Sequence, residues 1–286
     1  MAQLLEQAGA ARYLSEDHFT VDRHVDRSLG EPQKLQTEGR EAVADRRLYL
    51  TFDHPTMTAT PRENVDWFLE SVPEGTKLDL DVLTHSRGGL VARRLVEKQT
   101  VLATHRDVSI ENLVLTGAPD GGTALGDAKY MGDFVDAYTN LISFFPDTVT
   151  VDVLHCVLEA VKEIAMGTLG HLSGLQSMAP GGTFQTWLNA GPKTPSRYFA
   201  VAAKYEPSEP ALLNWAKQRL MHTIFRKDND LVVPTSGVYD SNGAGAFPIR
   251  VEDRLLFETA ECVWHCNYLA QQKLHAKLGQ WLPGNA

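Results

Sequence analysis

The first half of the chain alternates between short apolar runs and apolar positions at helical spacing. Runs rich in β-branched, aromatic and leucine side chains predict strands at 48–52, 78–84 and 113–117. After the first strand, Thr60, Pro61 and Glu63 form a capping box with proline at the first helical position, and apolar residues follow at i, i+3, i+4 and i+7. A second helix is predicted from Arg87 to about Lys98. This order predicts right-handed βαβ units and therefore an α/β fold with a parallel sheet.

The strand pattern stops in the middle of the chain and resumes near its C-terminus. Residues 126–190 carry two apolar helical stripes and no strand signal, so we predict a helical cap or lid inserted between the core segments 46–125 and 191–286. After the cap, strands are predicted at 198–203 and 255–257, and helices at 209–225 and 267–281. Residues 1–45 are weakly patterned, with a strand-like run only near Phe19, and we predict that they lie at the edge of the sheet.

One predicted strand-to-helix turn carries a chemical motif. Ser86 in T-H-S-R-G is one substitution away from the G-x-S-x-G nucleophile elbow, with Thr84 at the position of the first glycine. In an elbow the serine hydroxyl points out of the sheet, and the N–H of the next residue, Arg87, lies at the helix N-terminus facing the reacting atom. The alternative is that Ser86 is only the N-cap residue of the helix.

Composition and charge restrict the classes of partner. The 286-residue chain is 43% hydrophobic and 22% charged, which is typical of a globular protein, and its formal net charge is −9. We expect no nucleic-acid partner, because the chain lacks the basic surface that neutralises phosphates. We expect no signal peptide, because charges interrupt the N-terminal residues every few positions. We expect no transmembrane segment, because the sequence has no apolar run of 18 residues. The expectation is a cytoplasmic protein, and the pattern does not indicate its oligomeric state.

The three cysteines do not indicate a disulfide framework or a metal site. Their number is odd, and no paired spacing is evident. Cys262, His265 and Cys266 lack the fourth ligand and the spacing of a structural zinc site. We therefore expect reduced cysteines and neither a metal nor an organic cofactor.

Four motifs occur in the order and context of one enzyme family. They are H-P-T at 54–56, where that family has H-G-x after a strand, T-H-S-R-G around Ser86, A-P-D-G-G-T at 118–123, and H-C-N-Y at 265–268, similar to the family's H-x-N-Y. From about Leu48 to its C-terminus, the chain thus resembles α/β-hydrolases of the bacterial lipase and esterase type, including triacylglycerol lipases and the branch similar to GPI-inositol deacylases. The resemblance implies the α/β-hydrolase fold, with a mostly parallel central sheet, flanking helices and an inserted helical cap.

The resemblance implies a catalytic triad of Ser86, Asp230 and His265, in the chain order of the α/β-hydrolase fold. The string D-N-D-L-V-V-P at 228–234 fits two registers of the family's acid motif, and both select Asp230. The same string is typical of turns, so Asp230 could instead be a turn residue. Asp120 remains open as the acid because pancreatic-type lipases carry it after that earlier strand, and Asp228 is a further alternative.

The resemblance also implies an oxyanion hole formed by the backbone N–H groups of Arg87 and Thr56. Pro55 takes the place of the family's glycine, which removes no N–H that the hole uses but alters the loop. The side chain of Arg87 is expected to make a surface or cap contact. The residues expected beside the substrate are His54, His85, Phe134, Phe144 and Leu172.

The implied activity is the hydrolysis of small-molecule or lipid-like carboxylic esters through an acyl-enzyme, without a cofactor. Two alternatives remain open. The departures at Pro55 and Thr84 fit a non-catalytic hydrolase-like interaction or sensor domain. The same triad also serves acyltransferases and amidases, because the fold does not determine the acyl acceptor.

Overall fold

The computed structural model describes residues 19–23, 48–52, 54, 58–72, 75–97, 107–126, 172–191, 194–206, 228–241 and 247–282. The chain divides into two units, Met1–His54 and Pro55–Ala286. In the first unit, β1 (Phe19–Arg23) and β2 (Leu48–Phe52) form an antiparallel pair. The strand predicted at 48–52 is confirmed. Its hydrogen-bonded partner among the described residues is β1, and a place for it in the parallel sheet stays a prediction.

The second unit contains a four-stranded parallel sheet with the strand order β3-β4-β5-β6. Its strands are β3 (Lys77–His85), β4 (Asp107–Thr116), β5 (Arg197–Ala203) and β6 (Arg254–Phe257). The described helices of this unit are α1 (Pro61–Ser71), α2 (Gly88–Glu97), α3 (Ser173–Gln176), α4 (Thr183–Asn189) and α5 (Gln272–Trp281). The predicted α/β fold with a parallel sheet and flanking helices is confirmed.

Helix α1 begins where its capping box predicts. The Glu63 N–H donates to Thr60 Oγ1 (3.2 Å), and the Thr60 N–H donates to Glu63 Oε2 (2.7 Å). These bonds satisfy N–H groups that the first helical turn cannot pair within the helix. The apolar positions that predicted the helix face inward, since Val65, Phe68 and Leu69 are all buried.

The centre of the sheet is apolar on both faces. Leu113, Val114 and Leu115 are consecutive on β4 and fully buried, as expected for a parallel strand covered by other elements on each side. Helix α5 supplies part of that cover, because the Trp281 ring stacks on Phe199 of β5 with 4.8 Å between ring centroids. This core fixes the strands whose ends carry the candidate site.

Strands β3, β4 and β5 end at the same edge of the sheet, and their next residues continue the ladder. The Ser86 N–H donates to Thr116 O (2.9 Å), and the Gly117 N–H donates to Val201 O (2.9 Å). Ser86 and Gly117 therefore lie at the carboxyl edge of the sheet, where α/β proteins bind their ligands.

Several predicted segments lie partly or wholly outside the described residues. These include most of the predicted cap, at 127–171, and the helix predicted at 209–225. The described end of the cap range contains the short helices α3 and α4, and the cap itself stays a prediction. The closing helix predicted at 267–281 is confirmed as a 3₁₀ turn, Tyr268–Ala270, followed by α5. Among the residues described, no helix has the length and apolar character to cross a membrane, and no three His, Cys, Asp or Glu residues are grouped to hold a metal ion.

Candidate active site

Ser86 lies on the sharp turn that joins β3 to α2. Its φ is +53°, in the left-handed region that residues other than glycine rarely adopt. Helix α2 approaches the sheet closely because Gly89 has no side chain, and a Cβ there would lie 2.5 Å from the Ala118 Cβ. Thr84 fits in place of the motif's glycine, since its Oγ1 donates to Val114 O (2.9 Å). The turn thus has the strained backbone and the close helix packing of a nucleophile elbow.

The side chains of Ser86, His265 and Asp230 are joined by hydrogen bonds. His265 Nε2 lies 2.9 Å from Ser86 Oγ, and His265 Nδ1 lies 2.9 Å from Asp230 Oδ2. A buried carboxylate can only accept, so Nδ1–H donates to Asp230 and Nε2 accepts from the Ser86 hydroxyl. This is the tautomer that a general base next to a serine nucleophile requires.

The loop that carries Asp230 is held by its own backbone. The N–H groups of Val232 and Val233 donate to Asp230 Oδ1 (3.0 and 2.7 Å), and the His265 N–H donates to Asp230 O (3.0 Å). Leu231, between Asp230 and Val232 in the chain, has a φ of +81°, in the left-handed region. Burial by itself raises the pKa of Asp230, but His265 and these N–H donors outweigh it and hold the pKa below its ordinary value. Asp230 is therefore a carboxylate at neutral pH.

The other two aspartates considered as the acid lie elsewhere. The Asp120 carboxylate is buried against Arg93, whose Nη1 donates to Oδ1 (2.9 Å), and Glu97 shares the same guanidinium. Burial raises the pKa of Asp120 to about 6 despite that cation, with Glu97 adding to the shift. The Asp228 side chain is 65% exposed and lies 3.9 Å from Lys204. Of the three carboxylates, the structure joins only Asp230 to His265.

His85 lies directly beside the candidate base. Its Nε2–H donates to the backbone oxygen of His265 (2.7 Å), and the two ring centroids are 4.9 Å apart. Burial and then the neighbouring His265 lower the pKa of His85 to about 4, so this ring is neutral at physiological pH. His54 belongs to the N-terminal unit, where its ring lies 5.7 Å from that of Phe52.

The side chain of Arg87 is buried, and the expected surface contact is wrong. Its Nε donates to Gly174 O (3.2 Å), Nη1 donates to Asn64 Oδ1 (3.0 Å), and Nη2 donates to Ala59 O. Gly174 lies within residues 126–190, which are predicted to form the cap, so this bond agrees with the cap contact expected as the alternative. Burial lowers the pKa of Arg87 to about 10, which leaves it charged. This side chain ties the segment before α1 and helix α3 to the elbow.

The remaining residues proposed from the sequence are only partly described. Thr56, Phe134 and Phe144 lie outside the described residues. Leu172 is buried, with 2% of its surface exposed, and immediately precedes α3.

Sequence reasoning missed two residues that contact the Asp230–His265 pair. The Tyr268 hydroxyl donates to Asp230 Oδ2 (2.8 Å), the same oxygen that faces His265. Gly117 has a φ of +55°, and a Cβ there would lie 3.2 Å from both Asp230 Oδ2 and His265 Nδ1. The H-C-N-Y motif contains Tyr268 and offered a signal, whereas the need for glycine at position 117 appears only in three dimensions.

Comparison with known proteins gives a family and two distant likenesses. Residues 34–283 match the sequence model of a family described as "Domain of unknown function (DUF7379)", and the chain belongs to this family. Hydroxylysine kinase of Bos taurus is 26% identical over 162 residues, 52% of this chain, and the match spans only 42% of that protein's length. The crystal structure of Bacillus licheniformis lipase BlEst2 in mature form is 16% identical with a TM-score of 0.40, covering 78% of this chain and 69% of that one. The family description names no activity.

Proposed function

We propose that this protein is a serine hydrolase of the α/β-hydrolase type, cleaving carboxylic esters through an acyl-enzyme. The observation that carries the proposal is the unbroken series of hydrogen bonds from Ser86 Oγ through both ring nitrogens of His265 to Asp230 Oδ2, with 2.9 Å at each step. A nucleophile, a base and an orienting acid at these distances support a reaction class more directly than a fold does.

The proposed reaction follows from the three side chains. Ser86 Oγ attacks the ester carbonyl while His265 Nε2 takes its proton, and His265 then gives that proton to the leaving alcohol. Asp230 holds the imidazole in the Nδ1–H tautomer and stabilises the imidazolium that forms. Water, activated by the same histidine, then hydrolyses the acyl-enzyme.

The oxyanion of the tetrahedral intermediate is assigned to the N–H groups of Arg87 and Thr56. Each such donor is worth about 3 kcal/mol of transition-state stabilisation. The Arg87 N–H stands at the N-terminus of α2, directly after the nucleophile. The bond from the Arg87 guanidinium to Ala59 O supports the second donor, because it holds the segment that follows Thr56 against the elbow.

We also propose that residues 126–190 form a lid that bounds the acyl pocket. The end of this insertion lies beside the elbow, since Ser173 Oγ donates to Thr58 O (2.6 Å) and Arg87 donates to Gly174. Leu172→Val is then expected to change the ratio of short-chain to long-chain ester hydrolysis. Leu274→Val, at a buried position on α5 outside this insertion, is the matched control and should leave that ratio unchanged.

Two other activities are distinguished by chemistry. Amide hydrolysis or acyl transfer would use the same three residues and differ only in leaving group or acceptor. The partial likeness to hydroxylysine kinase makes a kinase reaction the other candidate. Such a reaction depends on positioned phosphates and bound metal ions rather than on a Ser–His–Asp triad. The geometry therefore favours acyl chemistry.

The test is a panel of p-nitrophenyl esters from C2 to C16, with matched p-nitroanilides and the variants Ser86→Ala and His265→Ala. We expect ester hydrolysis that Ser86→Ala abolishes and His265→Ala reduces by about 10⁴-fold. Faster turnover of anilides would identify an amidase. Hydrolysis that survives Ser86→Ala, or a folded wild type that cleaves none of the substrates, would contradict the proposal.

A further inference from the structure

We propose that Tyr268 is a positioning residue of the triad, whose phenol anchors the Asp230 oxygen facing His265 and limits how strongly that oxygen attracts the imidazolium. The inference rests on the proposed function, since it concerns a residue that acts through the Asp230–His265 pair. It assigns a fourth side chain to the site, from the H-C-N-Y segment at 265–268.

The Asp230 carboxylate has two donors on each oxygen. Oδ1 accepts from the N–H groups of Val232 and Val233, which lie on the aspartate's own loop. Oδ2 accepts from His265 Nδ1 (2.9 Å) and from the Tyr268 hydroxyl (2.8 Å). The Tyr268 bond is therefore the one that shares an oxygen with the histidine, and it competes with the histidine for the charge on that oxygen.

The Tyr268 ring is held in place from several sides. It is 1% exposed, its centroid lies 6.2 Å from that of the Phe257 ring, and it makes a T-shaped contact with the His265 ring at 6.4 Å between centroids. Its Cε2 packs against Gly117, since a Cβ on that residue would lie only 2.9 Å from it. A ring that cannot turn away keeps its hydroxyl on Asp230 Oδ2, so the carboxylate has one orientation.

The phenol remains a donor over the whole working pH range. Burial, and then the charge of Asp230, raise the pKa of Tyr268 well above its ordinary value. A neutral O–H donor to a carboxylate withdraws part of the charge that would otherwise act on the imidazolium. Removing the hydroxyl should therefore strengthen the attraction between Asp230 and protonated His265, and also loosen the carboxylate.

The two described titratable groups next to the pair, His85 and Cys266, do not change charge in this range. Burial lowers the pKa of His85 to about 4 and raises the pKa of Cys266 to about 12, the latter with a contribution from Asp230. A shift in the acid limb of the activity profile between pH 5 and 9 therefore reports on the Asp230–His265 pair.

The test compares Tyr268→Phe with Tyr198→Phe in the full-length protein. Tyr198 is a matched control because its buried hydroxyl also donates to a carboxylate, Glu97 Oε1 at 2.9 Å, outside the triad. For Tyr268→Phe we expect the pH at half-maximal kcat/KM to rise by about half a unit and the plateau kcat/KM to fall about 10-fold, mainly through kcat. Tyr198→Phe should keep both at wild-type values, even if it unfolds more easily.

A second substitution keeps the hydroxyl and makes it a stronger donor. Incorporation of 3-fluorotyrosine at position 268 alone should move the acid limb to lower pH, and this result decides the question if Tyr268→Phe does not fold. Any of three results would overturn the inference while the proposed function stands. The pH profiles of Tyr268→Phe and the wild type could coincide, both tyrosine variants could shift equally, or the fluorotyrosine profile could stay in place. A wild type without Ser86-dependent ester hydrolysis would overturn both.

Discussion

Gly117 lies against the candidate acid and base, so we expect a methyl group at this position to displace them. Its φ of +55° is in the left-handed region, and a Cβ would lie 2.9 Å from Tyr268 Cε2 and 3.2 Å from Asp230 Oδ2 and His265 Nδ1. All three neighbours are buried, and the Tyr268 ring also packs against the Phe257 ring. Gly117→Ala therefore forces a shift of a few tenths of an ångström within the site.

The cost has two parts that a control variant separates. Left-handed backbone costs a residue with a Cβ about 1 kcal/mol, and overpacking a buried contact adds about 1–3 kcal/mol. Gly75 has a φ of +74°, and no described atom lies within 4 Å of its Cβ position, so Gly75→Ala should show the backbone cost alone. Displaced catalytic groups commonly lose about 10²-fold in rate, and we expect that loss only in Gly117→Ala.

Urea unfolding gives the change in the free energy of unfolding, and kcat/KM for a p-nitrophenyl ester gives the change in activity. We expect Gly117→Ala to lose about 2–4 kcal/mol and about 10²-fold in kcat/KM, and Gly75→Ala to lose about 1 kcal/mol with unchanged activity. A fully active Gly117→Ala, or an equal loss of activity in both variants, would refute the packing argument.

Three further predictions concern residues around the site. Burial holds the pKa of His85 near 4, so the folded protein resists protonation of this ring and should lose stability as pH falls from about 6.5 towards 4. The free energy of unfolding should fall by at most about 1.4 kcal/mol per pH unit. Urea unfolding at several pH values measures this decline, and His85→Gln should make it less steep. Arg87→Met leaves buried acceptors without their donor and should lower the free energy of unfolding by about 3 kcal/mol or more, whereas Arg62→Met, at a 75% exposed side chain, should change it by less than about 0.5 kcal/mol. Asp230→Asn should reduce kcat by about 10⁴-fold, and Asp228→Asn, at an exposed position, should leave it within about 3-fold of the wild type.

Local features of the second unit were predictable from the sequence because their causes are local. The start of α1 follows from Thr60 and Glu63, which bond to each other three residues apart. The turn at Ser86 follows from a strand, a small-residue pair and a helix that are contiguous in the chain. Asp230 stood out because the D-N-D-L-V-V-P string resembles the family's acid motif, and the structure shows that the same string supplies the N–H donors that hold its carboxylate.

Features that depend on distant partners were not predictable in the same way. The apolar pattern of β2 shows that it is a strand but carries no information on its partner, which is β1. The motif favours Asp230 but leaves Asp120 open as the acid, and the three-dimensional position of Arg93 removes Asp120. The side chain of Arg87 was expected to make a surface or cap contact because arginine is usually exposed. Its burial depends on backbone carbonyls and an amide oxygen that are distant in sequence and supply its acceptors.

The central claim is that Ser86 is an activated nucleophile, and labelling with a fluorophosphonate tests it most directly. Mass spectrometry of the labelled wild-type protein should find one adduct, on Ser86, and His265→Ala should slow its formation strongly because the hydroxyl loses its base. Ser86→Ala should give no adduct. A folded wild-type protein that forms no adduct, or forms it on another residue, would contradict the account.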